Sequence, residues 1–278
     1  MTLDEKYEEL REKLFVDPNE EVEYPPVAIS YGAYKTKDAE YHTPLGTYGN
    51  FSFVQAPPKS KKTFFISMIA SAYLADTTKN TGDILGHRNN KKLVHFDTEQ
   101  GTFHAQKVFK RVIDLAKTND NYQVNLDDYD TFALRTLSAP MRTKFIDWYL
   151  EKYQDEIGFV IIDGIADLVL DVNDIKESSA IVQDIMRWTE EYNIHIMVVI
   201  HSNFNSDKPT GHLGSFLEKK TETQIQLTVR EDSQDLVDVI CKRSRSYPFE
   251  NFSFEVDFLG LPHIIDKIDD ILRIDTKF

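Results

Sequence analysis

The eight residues Ala56-Pro57-Pro58-Lys59-Ser60-Lys61-Lys62-Thr63 keep the spacing of a phosphate-binding loop, G-x-x-x-x-G-K-[ST], with both glycines replaced. Such a loop aims backbone N–H groups at an anion from a helix N-terminus, where the helix dipole also favours negative charge. Lys62 stands where a lysine meets β- and γ-phosphates, and Thr63 where a hydroxyl holds Mg²⁺. Ala56 and Lys61 fill the glycine slots. Glycine serves there by its freedom at positive φ and its close approach. Lysine at 61 gives up that freedom and adds positive charge beside the anion. Pro58, Lys59, Ser60, Lys61, Lys62, Thr63 and Phe64 are the expected nucleotide contacts. Taken alone, a lysine-rich surface turn accounts for the stretch equally well.

Two acidic strand ends follow. Leu93-Val94-His95-Phe96-Asp97-Thr98-Glu99 runs into carboxylates, and Glu99 is the candidate to polarise an attacking water in the crevice beyond a strand's C-terminal end. The alternative is a loop carboxylate without chemistry. Gly158-Phe159-Val160-Ile161-Ile162-Asp163 has the form of a Walker B strand, whose aspartate holds Mg²⁺. Asp167 and Asp171 read as weaker acids, suited to helix starts or solvent.

A third strand end, His201-Ser202-Asn203, sets an imidazole where a γ-phosphate could be sensed. After it, Asn205 to Gly214 is polar and glycine-hinged, as a mobile ligand-contacting segment would be. Late in the chain, Cys241-Lys242-Arg243-Ser244-Arg245 places Arg243 and Arg245 on one face by the strand period of two. Two arginines converging on an anion stabilise transition-state charge; ordinary salt bridging is the plainer account.

These groups need a scaffold of strands ending at one edge. Apolar strands are expected at 51–55, 93–97, 131–134, 158–162 and 194–200, with helices at about 63–76, 101–117, 140–154 and 178–192. The alternation implies an α/β fold with a mostly parallel sheet flanked by helices. Period-two segments at 223–230, 236–242 and 252–257 imply antiparallel strands at one C-terminal edge. Asp76 to Asn90 reads as a surface loop. Residues 4–15 suit a short amphipathic helix, and Pro18, Pro25 and Pro26 an extended linker. This divides the chain into an arm, 1–26, and a domain, 27–278.

The 278 residues, 41% of them hydrophobic, suffice for one large core. No apolar run reaches the ~20 residues of a membrane span, and the charged start Met1 to Lys6 lacks a secretion signal's apolar stretch. A lone cysteine, Cys241, leaves no pair for an internal disulfide. A cytoplasmic setting is the expectation. The net charge of −14 argues against coating nucleic acid with the whole surface, though not against basic loops facing a channel.

In order, these elements resemble the RecA-like P-loop NTPase core of recombinases and hexameric replicative helicases, over about residues 47–262. A closer similarity is to the RepA-type and DnaB-like helicase ATPases of plasmids, mobile elements and phages, carried by Thr47 to Ser52 and Gly211 to Ser215. The resemblance implies a motor ATPase of helicase or replication type, binding ATP with Mg²⁺ and assembled as a hexameric ring or filament. It implies Glu99 as the catalytic glutamate, Asp163 and Thr63 as Mg²⁺ ligands, and His201 in place of a γ-phosphate-sensing glutamine. It also implies that the 205–212 loop contacts single-stranded nucleic acid, and that Arg243 and Arg245 act across subunit interfaces. Ala56 and Lys61 depart from the motif and keep open a non-hydrolysing nucleotide-binding, structural or regulatory subunit of a replication or phage assembly. A loader that binds a partner through the arm is a third possibility.

Overall fold

The computed structural model describes residues 2–76, 83–118, 124–203, 206, 208–231 and 233–265. Helix α1 (Leu3–Leu14) is closed by a capping box in which Thr2 and Glu5 satisfy each other's backbone donors. None of its residues is buried. Strands β1 (Val27–Lys35), β2 (Glu40–Thr47) and β3 (Phe51–Ala56) follow, then α2 (Lys62–Ala75), β4 (Ile84–Gly86), β5 (Lys92–Asp97), α3 (Thr102–Lys117) and β6 (Tyr129–Ala133). The chain continues through α4 (Ala139–Tyr153), β7 (Ile157–Asp163), α5 (Ile175–Tyr192), β8 (His195–His201) and α6 (Gly211–Lys220). It closes with β9 (Thr223–Arg230), β10 (Ser233–Ser244), β11 (Phe252–Val256) and β12 (Pro262–Ile265).

Among the described residues the main sheet has nine strands in the order β12-β11-β10-β9-β3-β8-β7-β5-β6. Strands β9, β3, β8, β7, β5 and β6 run parallel, and β10, β11 and β12 add an antiparallel edge. This is the expected α/β architecture. Successive residues of β7 feed opposite layers: Phe159 and Ile161 join the core under α2 and α3, Val160 and Ile162 the core under α4, α5 and α6. Burial on both faces explains why these strands read as continuous apolar runs. Helix α2 is apolar all round and buried along nearly its whole length, as a helix enclosed on every side must be.

Three expectations are corrected. Ile84 to Gly86, expected within a surface loop, pairs with β1, and β2-β1-β4 form a second, three-stranded antiparallel sheet. The segment from Gly211 onward is helix rather than polar loop, with Leu213 and Leu217 buried four residues apart. Asn205 and Asp207 of the expected nucleic-acid loop lie outside the described residues. The second sheet locks onto the first through His195, which donates from Nδ1 to the Thr47 carbonyl (2.9 Å) and accepts at Nε2 from the Ser52 hydroxyl (2.9 Å). Gly46 makes this possible: a Cβ there would stand 2.1 Å from the imidazole. Among the described residues no helix is long and apolar enough to cross a membrane.

Candidate nucleotide site

Register brings the chemistry to one edge. Ala56 at the end of β3 pairs with His201 at the end of β8, and Asp97 at the end of β5 pairs with Asp163 at the end of β7. The C-terminal ends of four parallel strands thus carry the loop, the imidazole and the acids. Ligands bind beyond such ends in open α/β sheets.

The loop keeps the backbone of its motif despite the lost glycine. Lys61 is the N-cap of α2 in the left-handed region (φ 58°, ψ 28°), with no side-chain cap. The expected loss of conformational freedom therefore does not occur: lysine adopts the glycine-like conformation and carries its strain. Lys59 does the same at φ 64°. Nor does the charge of Lys61 face an anion unopposed, because its Nζ pairs with Asp235 Oδ1 at 2.5 Å. Ser60 is buried and ties the loop internally, its hydroxyl donating to the Pro57 carbonyl at 2.6 Å. Pro58 is exposed at the loop's tip. Phe64 lies under the Arg111 guanidinium, 3.8 Å from the ring centroid, and Arg111 also reaches the Thr63 carbonyl at 3.4 Å.

Lys62 turns inward. Its ammonium donates to the Pro57 carbonyl (3.0 Å) and to His201 Nδ1 (3.0 Å). An ammonium can only donate, so Nδ1 is the acceptor and the ring proton sits on Nε2. That proton faces Glu99 Oε1 at 3.2 Å. Lys62, His201 and Glu99 therefore form one chain of contacts across three strand ends. Burial draws the Lys62 ammonium below its ordinary pKa, with Glu99 and Asp163 opposing. The hydrogen bond from His201 holds the Glu99 carboxyl below the usual range.

Asp163 is the most buried acid of the group. Burial, with the Asp97 and Glu99 charges beside it, pushes its carboxyl up to about 7. Its Oδ2 is buried without a hydrogen-bond partner among the described residues. A buried carboxylate oxygen lacking a donor is suited to a cation, and Thr63 stands directly after Lys62. The pair Thr63 and Asp163 thus fits Mg²⁺.

Sequence reasoning missed several participants. Asp97 accepts from the N–H groups of Glu99 (3.1 Å) and Gln100 (2.8 Å), fixing the turn that carries Glu99. Asp167, expected in solvent or at a helix start, reaches the Thr98 hydroxyl at 3.1 Å. The Asp-x-Glu spacing was a visible cue for the first; nothing local marks Asp235, 174 residues from Lys61. Arg243 and Arg245 do not join the site within the chain. They are exposed at the opposite end of the sheet, where Arg243 pairs with Gln224 and Arg245 donates to the Lys220 carbonyl at 2.8 Å. A trough of about 1080 Å³ between β1 and the β10–β12 edge also lies apart and holds none of the expected site residues.

The model of the AAA domain family matches residues 41–207, more than half of the chain. The chain belongs to this family. The crystal structure of the RadB recombinase is similar over 79% of this chain and 92% of its own, at a TM-score of 0.54 and 16% identity. The ATPase domain of a helicase is similar over 80% of this chain and 87% of its own, at a TM-score of 0.55 and 17% identity. At such identities the likeness speaks for the fold, a RecA-like P-loop ATPase core. No curated protein sequence matches the chain.

Proposed function

We propose that the chain is a Mg²⁺-dependent ATPase of motor type acting on single-stranded nucleic acid. The carrying observation is the contact chain Lys62–His201–Glu99 beside the unpartnered Asp163, at the mouth of a helix-capping loop. Pro58 to Phe64 form the nucleotide cradle, and Thr63 and Asp163 hold Mg²⁺, which when bound neutralises phosphate charge. Lys62 exchanges the Pro57 carbonyl and His201 for phosphate oxygens. Glu99 then takes the proton of the attacking water, and His201, released from Lys62, reports on the γ-phosphate.

The exposure of Arg243 and Arg245 at the far sheet end supports action on a neighbouring subunit, in a ring or filament. Residues 206 and 208–212, with Asn205 and Asp207, form the nucleic-acid contact. Helix α1 buries nothing against the domain, which supports a division into an arm, 1–26, and an ATPase domain, 27–278. The setting we propose is the cytoplasm.

Phosphate release by the full chain, with and without single-stranded DNA, tests this reading against Lys62→Ala. The expected loss is about 100-fold or more, the cost of removing a preorganised charge from a transition state. Equal slow release by both proteins would leave a nucleotide-binding subunit without turnover.

A further inference from the structure

The corner between β5 and β7 is built around one hydroxyl. Thr98 is fully buried between Asp97 and Glu99. Its N–H donates to the Asp163 carbonyl at 3.1 Å. Its Oγ1 lies 2.7 Å from the Gly164 carbonyl, 3.0 Å from the Asp163 carbonyl and 3.1 Å from Asp167 Oδ2. One donor thus faces three acceptors, none of which a methyl group can satisfy.

The opposite wall is Gly164, at φ 105°. A Cβ there would stand 2.3 Å from Thr98 Oγ1 and 2.7 Å from Glu99 Cγ. Those separations forbid any side chain, so glycine at 164 is what allows Glu99 to lie where it meets His201 at 3.2 Å. Asp97 fixes the backbone of the same turn from below. The position of the Glu99 carboxylate is therefore set by contacts that Glu99 does not make itself.

We propose that Thr98 and Gly164 are positioning residues for Glu99, holding its carboxylate at the angle required to orient water. The inference rests on the ATPase reading above. A 1 Å misplacement of a reacting group costs on the order of 10²-fold in rate while leaving binding alone. A purely structural role would instead lower stability and nucleotide affinity together.

Turnover number and KM for ATP, affinity for a non-hydrolysable ATP analogue, and the unfolding midpoint are to be measured for wild type, Thr98→Val, Thr98→Ser, Gly164→Ala and Lys62→Ala. Thr98→Val is expected to lose about 10- to 100-fold in kcat, with analogue affinity within about threefold of wild type. Thr98→Ser restores the hydroxyl and returns kcat to within about threefold, while Gly164→Ala follows Thr98→Val. Wild-type kcat in Thr98→Val overturns the positioning role alone. So does a parallel fall of kcat and analogue affinity that Thr98→Ser fails to rescue. Indistinguishable phosphate release by wild type and Lys62→Ala overturns the ATPase reading, and the positioning role with it.

Discussion

The loop after β3 and the turn after β5 face each other across the site, and they are built on opposite principles. The turn is held from several sides: Asp97 accepts from two backbone N–H groups, and the Thr98 hydroxyl and N–H tie it to β7. Where its neighbour must enter positive φ, the residue is Gly164. The loop enters positive φ twice with lysine, at Lys59 and Lys61. Left-handed backbone costs a non-glycine residue roughly 1–2 kcal/mol. Its lateral tie to another strand, Lys61 to Asp235, ends on a carboxylate that is 70% exposed. The acidic side is preorganised and relaxed; the basic side holds a phosphate-loop shape under strain. Chemistry that depends on angle is better served by the first, and charge that must move toward a ligand by the second.

The largest effect expected from this contrast is at Glu99. Glu99→Gln keeps the side chain's shape and a hydrogen-bond acceptor for His201 while removing the base. General-base catalysis contributes about 10²- to 10⁴-fold, so phosphate release should fall by that order in a steady-state assay. Nucleotide affinity, measured by titration with a fluorescent analogue, should change by less than about threefold, because the loop supplies the binding. A large loss of affinity instead would show that the two sides are one mechanical unit, and the contrast would fail.

A smaller effect concerns the strands beneath the two regions. His95 lies on β5, below the Glu99 turn, and His195 opens β8, beside the strand that carries the loop. Both are fully buried, and burial lowers their pKa to about 3 and about 4. Each folded value lies below the unfolded value of about 6.5. Below that pH the unfolded chain binds protons that the folded chain refuses, and stability falls as pH drops toward 4. Each histidine contributes a slope of about 1.4 kcal/mol per pH unit. Denaturant unfolding between pH 6.5 and 5 should therefore give flatter profiles for His95→Gln and His195→Gln, each by that slope. Unequal flattening would mean that one of the two regions opens to water before the other, sharpening the contrast into a difference in local stability.

How much of this was legible in the sequence follows from where the information lies. Strands β3, β5, β7 and β8 are buried on both faces, so their apolar runs announce themselves, and the polar residue that ends each run marks the site edge. Lys62, Glu99, Asp163 and His201 were found this way. Strand β2 contains Pro44 and Gly46, and β4 is three residues long. Their pairing to β1 is decided by distant partners and not by local propensity, so neither was visible. Helix α6 begins with Gly211 and includes Gly214, residues that read as loop; a Cβ at 214 would stand 2.6 Å from the Pro209 backbone, which is why glycine sits inside that helix. Within the site, what escaped was support. The Thr98 hydroxyl, the Gly164 conformation and the Asp235 carboxylate act through contacts 65 to 174 residues away in sequence. A motif identifies the groups that touch a ligand, whereas the residues that hold those groups are specified by packing.

The smallest effect is also the sharpest, because its sign is at stake. Lys61→Ala and Lys61→Gly both remove the bridge to Asp235, so their difference isolates the backbone. In ordinary conformations glycine is less stable than alanine by roughly 0.5–1 kcal/mol through unfolded-state entropy. At φ 58° and ψ 28° the order inverts, because alanine keeps the steric penalty that glycine lacks. Lys61→Gly should then be the more stable of the two by about 1 kcal/mol, read from denaturant unfolding of both variants at one pH and salt concentration. Greater stability for Lys61→Ala would mean that the loop relaxes out of the left-handed region when its lysine is removed. The strain would then belong to the Lys61–Asp235 pair, and replacing the motif's glycine would have cost the loop nothing.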